Sequence, residues 1–146
     1  MTTTGPVTGA RDLALAHYAA RGVLERVLAR HGMTFQQQVA LRGAINAESP
    51  QTPDALVTQV QHSLKADPAD IRATLDELLT RRLLIEEGPH LRPTDAGREL
   101  MAAVGEETAP ISARIWGGFS AEDLAAVGRV LSLVTERANA ELAELG

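Results

Sequence analysis

Apolar residues recur at helical spacing along most of the chain. Between Ala10 and Arg30, Leu13, Ala16, Ala20, Val23, Leu24, Val27 and Leu28 fall three or four residues apart, the period of one helix face, and His31-Gly32 ends the run. Phe35 to Asn46 reads as a second helix, with Val39, Leu41 and Ile45 apolar, stopping in the turn-rich stretch Glu48-Ser49-Pro50-Gln51. Thr52-Pro53-Asp54 supplies a capping hydroxyl, a proline suited to the first helical position and an acid in the first turn, so a third helix is predicted from there to about Leu64. Asp67-Pro68-Ala69-Asp70 repeats the start signal, and Ile71, Leu75, Leu78 and Leu79 follow as one buried stripe of a fourth helix read as far as Arg82. The link Lys65-Ala66 is so short that these two helices must cross steeply, the helix-turn-helix arrangement.

The period then changes. Leu83-Leu84-Ile85 and His90-Leu91-Arg92 flank Glu86-Glu87-Gly88-Pro89, a small hairpin or wing. Thr94 caps a fifth helix that carries Leu100, Met101, Val104, Ile111 and Ile115, has Pro110 as a point of bending, and ends at Trp116-Gly117-Gly118. Ser120 caps a sixth, in which Leu124, Val127, Leu131, Val134, Ala138 and Leu145 follow the spacing of a helix-pairing seam. Such a seam either meets a second copy of the chain or packs inside its own subunit. The fold class is thus mainly α with a small β-hairpin wing.

Composition narrows the classes. At 146 residues the chain is one domain's worth, expected over 10–146 behind a disordered tail, 1–9, that is neither a signal peptide nor an anchor. Its 45% apolar and 23% charged residues are ordinary for a globular protein, and no apolar run could span a bilayer. The absence of cysteine excludes disulfides, thiolate metal sites and cysteine nucleophiles, and a cytoplasmic location fits best. The four histidines, His17, His31, His62 and His90, stand singly without metal-ligand spacing, so no metal and no cofactor are expected. Glycine-rich phosphate loops, nucleophile elbows and paired-carboxylate motifs do not occur, which argues against an enzyme.

The stretch Leu64-Lys65-Ala66-Asp67-Pro68-Ala69-Asp70-Ile71, the run Leu75 to Ile85, Thr94-Asp95-Ala96-Gly97-Arg98 and Phe119-Ser120-Ala121-Glu122-Asp123-Leu124 together resemble the MarR family of winged helix-turn-helix regulators, over roughly Leu13 to Leu142. The resemblance implies a homodimer held by terminal helices (10–48 and 99–146). Its two winged domains (52–98) would straddle a palindromic operator in double-stranded DNA, with the fourth helix in the major groove. It also implies a small aromatic-acid effector.

On the outward side of the fourth helix lie Ala69, Asp70, Arg72, Ala73, Asp76 and Thr80; Arg72 and Thr74 are the leading candidates for base or phosphate contact, and Asp70, Ala73 and Asp76 share that face. An acid there can accept from a cytosine amino group but repels the backbone. Lys65, Arg81 and Arg82 are placed to reach phosphates, although Arg81 and Arg82 equally suit a helix carboxyl end. His90 and Arg92 are the cationic options on a wing shorter than the family's, and Arg98, a cation in a first helical turn, calls for an anionic partner. The count runs against DNA: residues 54–98 carry six Lys or Arg against eight acids.

For an effector, His17 and Arg21, four apart with Tyr18 adjacent, can converge on a carboxylate, and Trp116 can stack on a ring; the alternative is a solvated pair with Tyr18 and Trp116 as interface packing. Two competing readings stay open. One is a winged-helix dimer with weak or lost DNA binding that serves as a ligand- or protein-binding module. The other is a small catalytic dimer built on His17, Tyr18 and Arg21.

Overall fold

The computed structural model describes residues 9–146. The tail expected over 1–9 lies outside the described residues except for Gly9, the N-cap of the first helix, whose N–H donates to Asp12 Oδ2 (3.1 Å). The elements are α1 (Ala10–Arg30), α2 (Phe35–Asn46), α3 (Pro53–Leu64), α4 (Pro68–Thr80), β1 (Leu84–Glu87), β2 (His90–Pro93), α5 (Asp95–Trp116) and α6 (Ala121–Leu145). They divide into two compact units at Pro110, inside α5.

In the first unit each helix begins where a side chain satisfies an otherwise orphaned N–H. Thr34 and Gln37 form a reciprocal capping box at α2, with both bonds at 3.1 Å. Thr52 accepts from Ala55 N (3.2 Å) ahead of Pro53, and Asp67 from Ala69 N (2.8 Å) ahead of Pro68. The core is aliphatic, with Leu28, Leu41, Leu56, Ile71, Leu78 and Leu84 almost wholly enclosed. Helix α4 packs on α2 and α3 through Ile71, Leu75 and Leu78; in α1 the seven-residue apolar pattern shrinks to Val27 and Leu28 as buried positions.

Helix α4 stops two residues earlier than its pattern implies. Arg82 takes a left-handed φ of 57°, its N–H bonds to Leu79 C=O (3.0 Å) and that of Leu83 to Leu78 C=O (2.9 Å). This is a Schellman ending with arginine where glycine is usual, so the sequence carries no stop signal. The strands pair antiparallel, Leu84 with Pro93 through Glu87 with His90. That leaves Gly88-Pro89 as a two-residue turn, and Gly88 supplies the positive φ (60°) that such turns need at their first position. Gln51, read as loop, forms a bridge to Leu91, whose N–H donates to Gln51 C=O (2.8 Å), tying the hairpin to the segment before α3.

The hairpin meets α5 at Gly97. Thr94 Oγ1 accepts from Gly97 N (3.0 Å) and donates to Arg82 C=O (2.7 Å), and a Cβ on Gly97 would lie 2.3 Å from Leu83 O. Gly97→Ala is therefore expected to cost about 1–3 kcal/mol, because backbone rather than a flexible side chain must yield. Urea unfolding checks this; an unchanged midpoint would show that the strand and helix are free to separate.

In the second unit Ser120 Oγ accepts from Asp123 N (3.0 Å) and starts α6, which has no buried residue. No helix among the described residues is long and apolar enough to cross a membrane.

Candidate nucleic-acid interface

Helix α4 has a wired face and an open face. On the wired side Gln37 Nε2 donates to Glu77 Oε2 (2.6 Å), and Arg81 Nη1 donates to Gly32 C=O (2.8 Å) and Gln37 Oε1 (3.1 Å). Thr74 is buried; its hydroxyl donates to Gln36 Oε1 (2.5 Å) and also lies within hydrogen-bond reach of Asp70 C=O (3.1 Å). Thr74 is thus withdrawn from the contact residues: a hydroxyl spent inside the α2–α4 seam cannot reach a ligand without breaking it. Arg81 likewise spends its guanidinium on α2 and the preceding turn, in addition to capping α4.

On the open side lie Asp70, Arg72, Ala73 and Asp76, all exposed. Arg72 Nη2 is 2.6 Å from Asp54 Oδ1 in the first turn of α3, with the arginine side chain still 53% exposed. Arg72 and Asp76 line one shallow cleft together with Pro53, Glu86 and Leu91, so the hairpin root and α4 share a surface. Lys65 caps α3 in a left-handed conformation (φ 57°) and its Nζ donates to His62 C=O. On the hairpin His90 is exposed and Arg92 is paired with Glu87. Among the described residues Arg82 takes part in no ion pair. Most cations around α4 are thus pre-engaged, which compounds the acid excess.

Behind this surface Arg30 and His31, at the end of α1, both bond Glu107 of α5, His31 Nε2 at 2.8 Å from Oε2. The bond to His31, then that to Arg30, holds the Glu107 carboxyl below its ordinary 4.5. A carboxyl lowered on folding contributes stability in full above its unfolded value, and that contribution is lost as pH falls through the folded value. Glu107→Gln is expected to lower the urea midpoint at pH 7 and to flatten its decline below pH 4.5. Superimposable pH profiles for the two proteins would contradict it.

Of the residues singled out for an effector, Arg21 is already engaged. His17 and Tyr18 are exposed neighbours with ring centroids 6.0 Å apart. Arg21 turns to Glu25 (3.3 Å) and lies 4.2 Å over the Phe35 ring. Trp116, in the other unit, is 55% exposed. A cleft of about 320 Å³ lies instead between α2 and α5, where Arg42 and Arg98 flank Asn46, Ile45 and Met101. Neither arginine joins an ion pair among the described residues. Arg98 is marked in the sequence by its place in a first helical turn; Arg42 carries no such signal, because what assembles the cleft is the packing of two helices distant in sequence. Among the described residues no three His, Asp or Glu side chains group to hold a metal.

No protein-family model matches the chain, and no curated protein does. Solved structures do. Staphylococcus aureus MarR in complex with salicylate and kanamycin superposes with a TM-score of 0.75 at 18% identity, covering 90% of each chain. CouR from Rhodococcus jostii RHA1 bound to p-coumaroyl-CoA gives 0.72 at 18% identity, over 84% of this chain and 88% of its own. A MarR family transcription regulator gives 0.70 at 25% identity, over 92% and 88%. The fold is the one these regulators share.

Proposed function

We propose that this chain, a MarR-type winged-helix protein, is a transcription regulator that binds a palindromic DNA operator as a homodimer. The observation that carries the reading is α4 itself. One face is buried in aliphatic core and wired to α2, and the other is open, with Arg72 projecting beside the hairpin. A rigidly seated helix with a free face is what major-groove reading needs. Lys65, Arg82, His90 and Arg92 surround it as phosphate contacts, and Arg81 serves mainly to hold α4 in place. The dimer reading rests on α6, in whose apolar seam Leu124, Val127, Leu131 and Val134 are exposed and which has no buried residue. DNA binding of this kind places the protein in the cytoplasm.

An effector fits the same reading. An acid of modest size would set its carboxylate between Arg42 and Arg98 and its apolar part against Ile45 and Met101, which reassigns Arg98 from operator to effector. The salicylate bound by one neighbour is an acid of that class.

The test is selection of genomic fragments by the full-length protein at low salt, followed by sequencing. Enrichment of a palindrome near a promoter is expected. Because several cations are already engaged, binding should lose affinity with salt less steeply than a protein making six to ten phosphate contacts, for which the logarithmic slope is about −0.9 per contact. The acid excess over 54–98 favours one other reading, a dimer that has exchanged DNA for a protein or ligand; failure to enrich any fragment would select it.

A further inference from the structure

We infer that each operator half-site is read through a guanine and a cytosine lying within about two base pairs of each other, the guanine by Arg72 and the cytosine by Asp76; the inference rests on the operator reading above. It concerns base identity, which the fold leaves undetermined.

The open face of α4 is narrow in its chemistry. Ala69 and Ala73 carry no polar side-chain atom, Asp70 and Thr80 stand near the two ends of the helix, and Glu77 is held by Gln37. Arg72 and Asp76 stand one helical turn apart on that face and line the same cleft. A helical turn rises about 5.4 Å, against about 3.4 Å for a base-pair step, so the two side chains reach neighbouring or next-neighbouring pairs.

Arg72 carries the donors. Asp54 fixes one terminal nitrogen at 2.6 Å and leaves the rest of the planar guanidinium exposed, so the fork is oriented before it meets DNA. Its match in the major groove is guanine, whose O6 and N7 are paired acceptors. Asp76 carries only acceptors. Facing a duplex it is repelled by every phosphate, so its place on the reading face is favourable only opposite a base-edge donor, and cytosine N4 is the donor that carboxylates take. Thymine presents O4 and a methyl there, and guanine two acceptors, so both are rejected. Asp76 also raises the cost of non-specific sites, where it finds no donor.

The experiment uses the full-length protein and the palindrome obtained by fragment selection. Binding is measured by fluorescence anisotropy for the wild type, Arg72→Lys, Arg72→Ala and Asp76→Asn. The duplexes carry 7-deazaguanine, which lacks the N7 acceptor, or a C·G to T·A change at each position in turn. At one guanine and one nearby cytosine the wild type is expected to lose about 5- to 150-fold, the worth of one good base contact. Arg72→Lys keeps the charge and the salt slope but becomes indifferent to 7-deazaguanine. Asp76→Asn, which adds a donor, loses the preference for cytosine. A wild type that binds the palindrome while Arg72→Ala and Asp76→Asn keep every base preference overturns this inference and leaves the regulator standing. A wild type that binds no duplex at low salt overturns both.

Discussion

Leu78→Ala is expected to cost about 2–5 kcal/mol, the range for an enclosed leucine cut to alanine in a core that cannot collapse around the gap. Leu78 is fully buried, on the same α4 stripe as Ile71 and Leu75, and its carbonyl receives the Leu83 N–H that ends the helix. A domain of this size is stable by about 5–15 kcal/mol in all, so the loss is a large share of it. The effect reaches the proposed interface, because the stripe sets the rotation of α4 and hence where Arg72 points. Urea unfolding of Leu78→Ala beside Leu79→Ala measures it. Leu79 is half-buried, so its variant is expected to lose less. Equal losses, or a Leu78→Ala loss under about 1 kcal/mol, would show that α4 is not seated by this stripe.

Leu131→Glu is expected to convert the protein from dimer to monomer. Leu124, Val127, Leu131 and Val134 of α6 are 36–44% exposed in the single chain, and no residue of that 25-residue helix is buried. An amphipathic helix draws its stability from packing its apolar face, so one left bare is marginal in water. In the proposed dimer Leu131 lies against the partner, where an unpaired charge costs about 3–5 kcal/mol. The dimer dissociation constant should therefore rise at least about 100-fold, at about tenfold per 1.4 kcal/mol. Sedimentation of both proteins over a concentration series reads this directly. A wild type already monomeric, or a variant that associates as tightly, would remove the support that α6 lends to the dimer.

Most element boundaries were legible because they rest on local chemistry. Pro53 and Pro68 behind Thr52 and Asp67 mark two starts, and Gly32 after the last apolar pair marks the end of α1. What stayed hidden was chemistry that joins elements far apart in sequence. The pattern in α2 pointed to Val39, Leu41 and Ile45, yet Gln37 and Gln38 are more deeply buried than Val39 or Ile45. Gln37 can be buried because Thr34, Glu77 and Arg81 satisfy its amide, and hydrophobic periodicity does not register such partners. Thr74 was read as outward for the same reason, when Gln36 draws it in. Arg82 hid the end of α4 by occupying a left-handed position usually filled by glycine. The place of Arg72 and Asp76 on one open helix face was legible from spacing alone, whereas the clasp of Asp54 on Arg72 needed the packing of α3 against α4.

In the proposed complex two copies of α4 are presented to one duplex. Hydroxyl-radical footprinting of the selected operator with the full-length protein tests it most directly. Two protected patches centred about 10 base pairs apart, symmetric about the palindrome, are predicted. A single unpaired patch, or an operator cleaved as evenly with the protein as without it, would contradict the account.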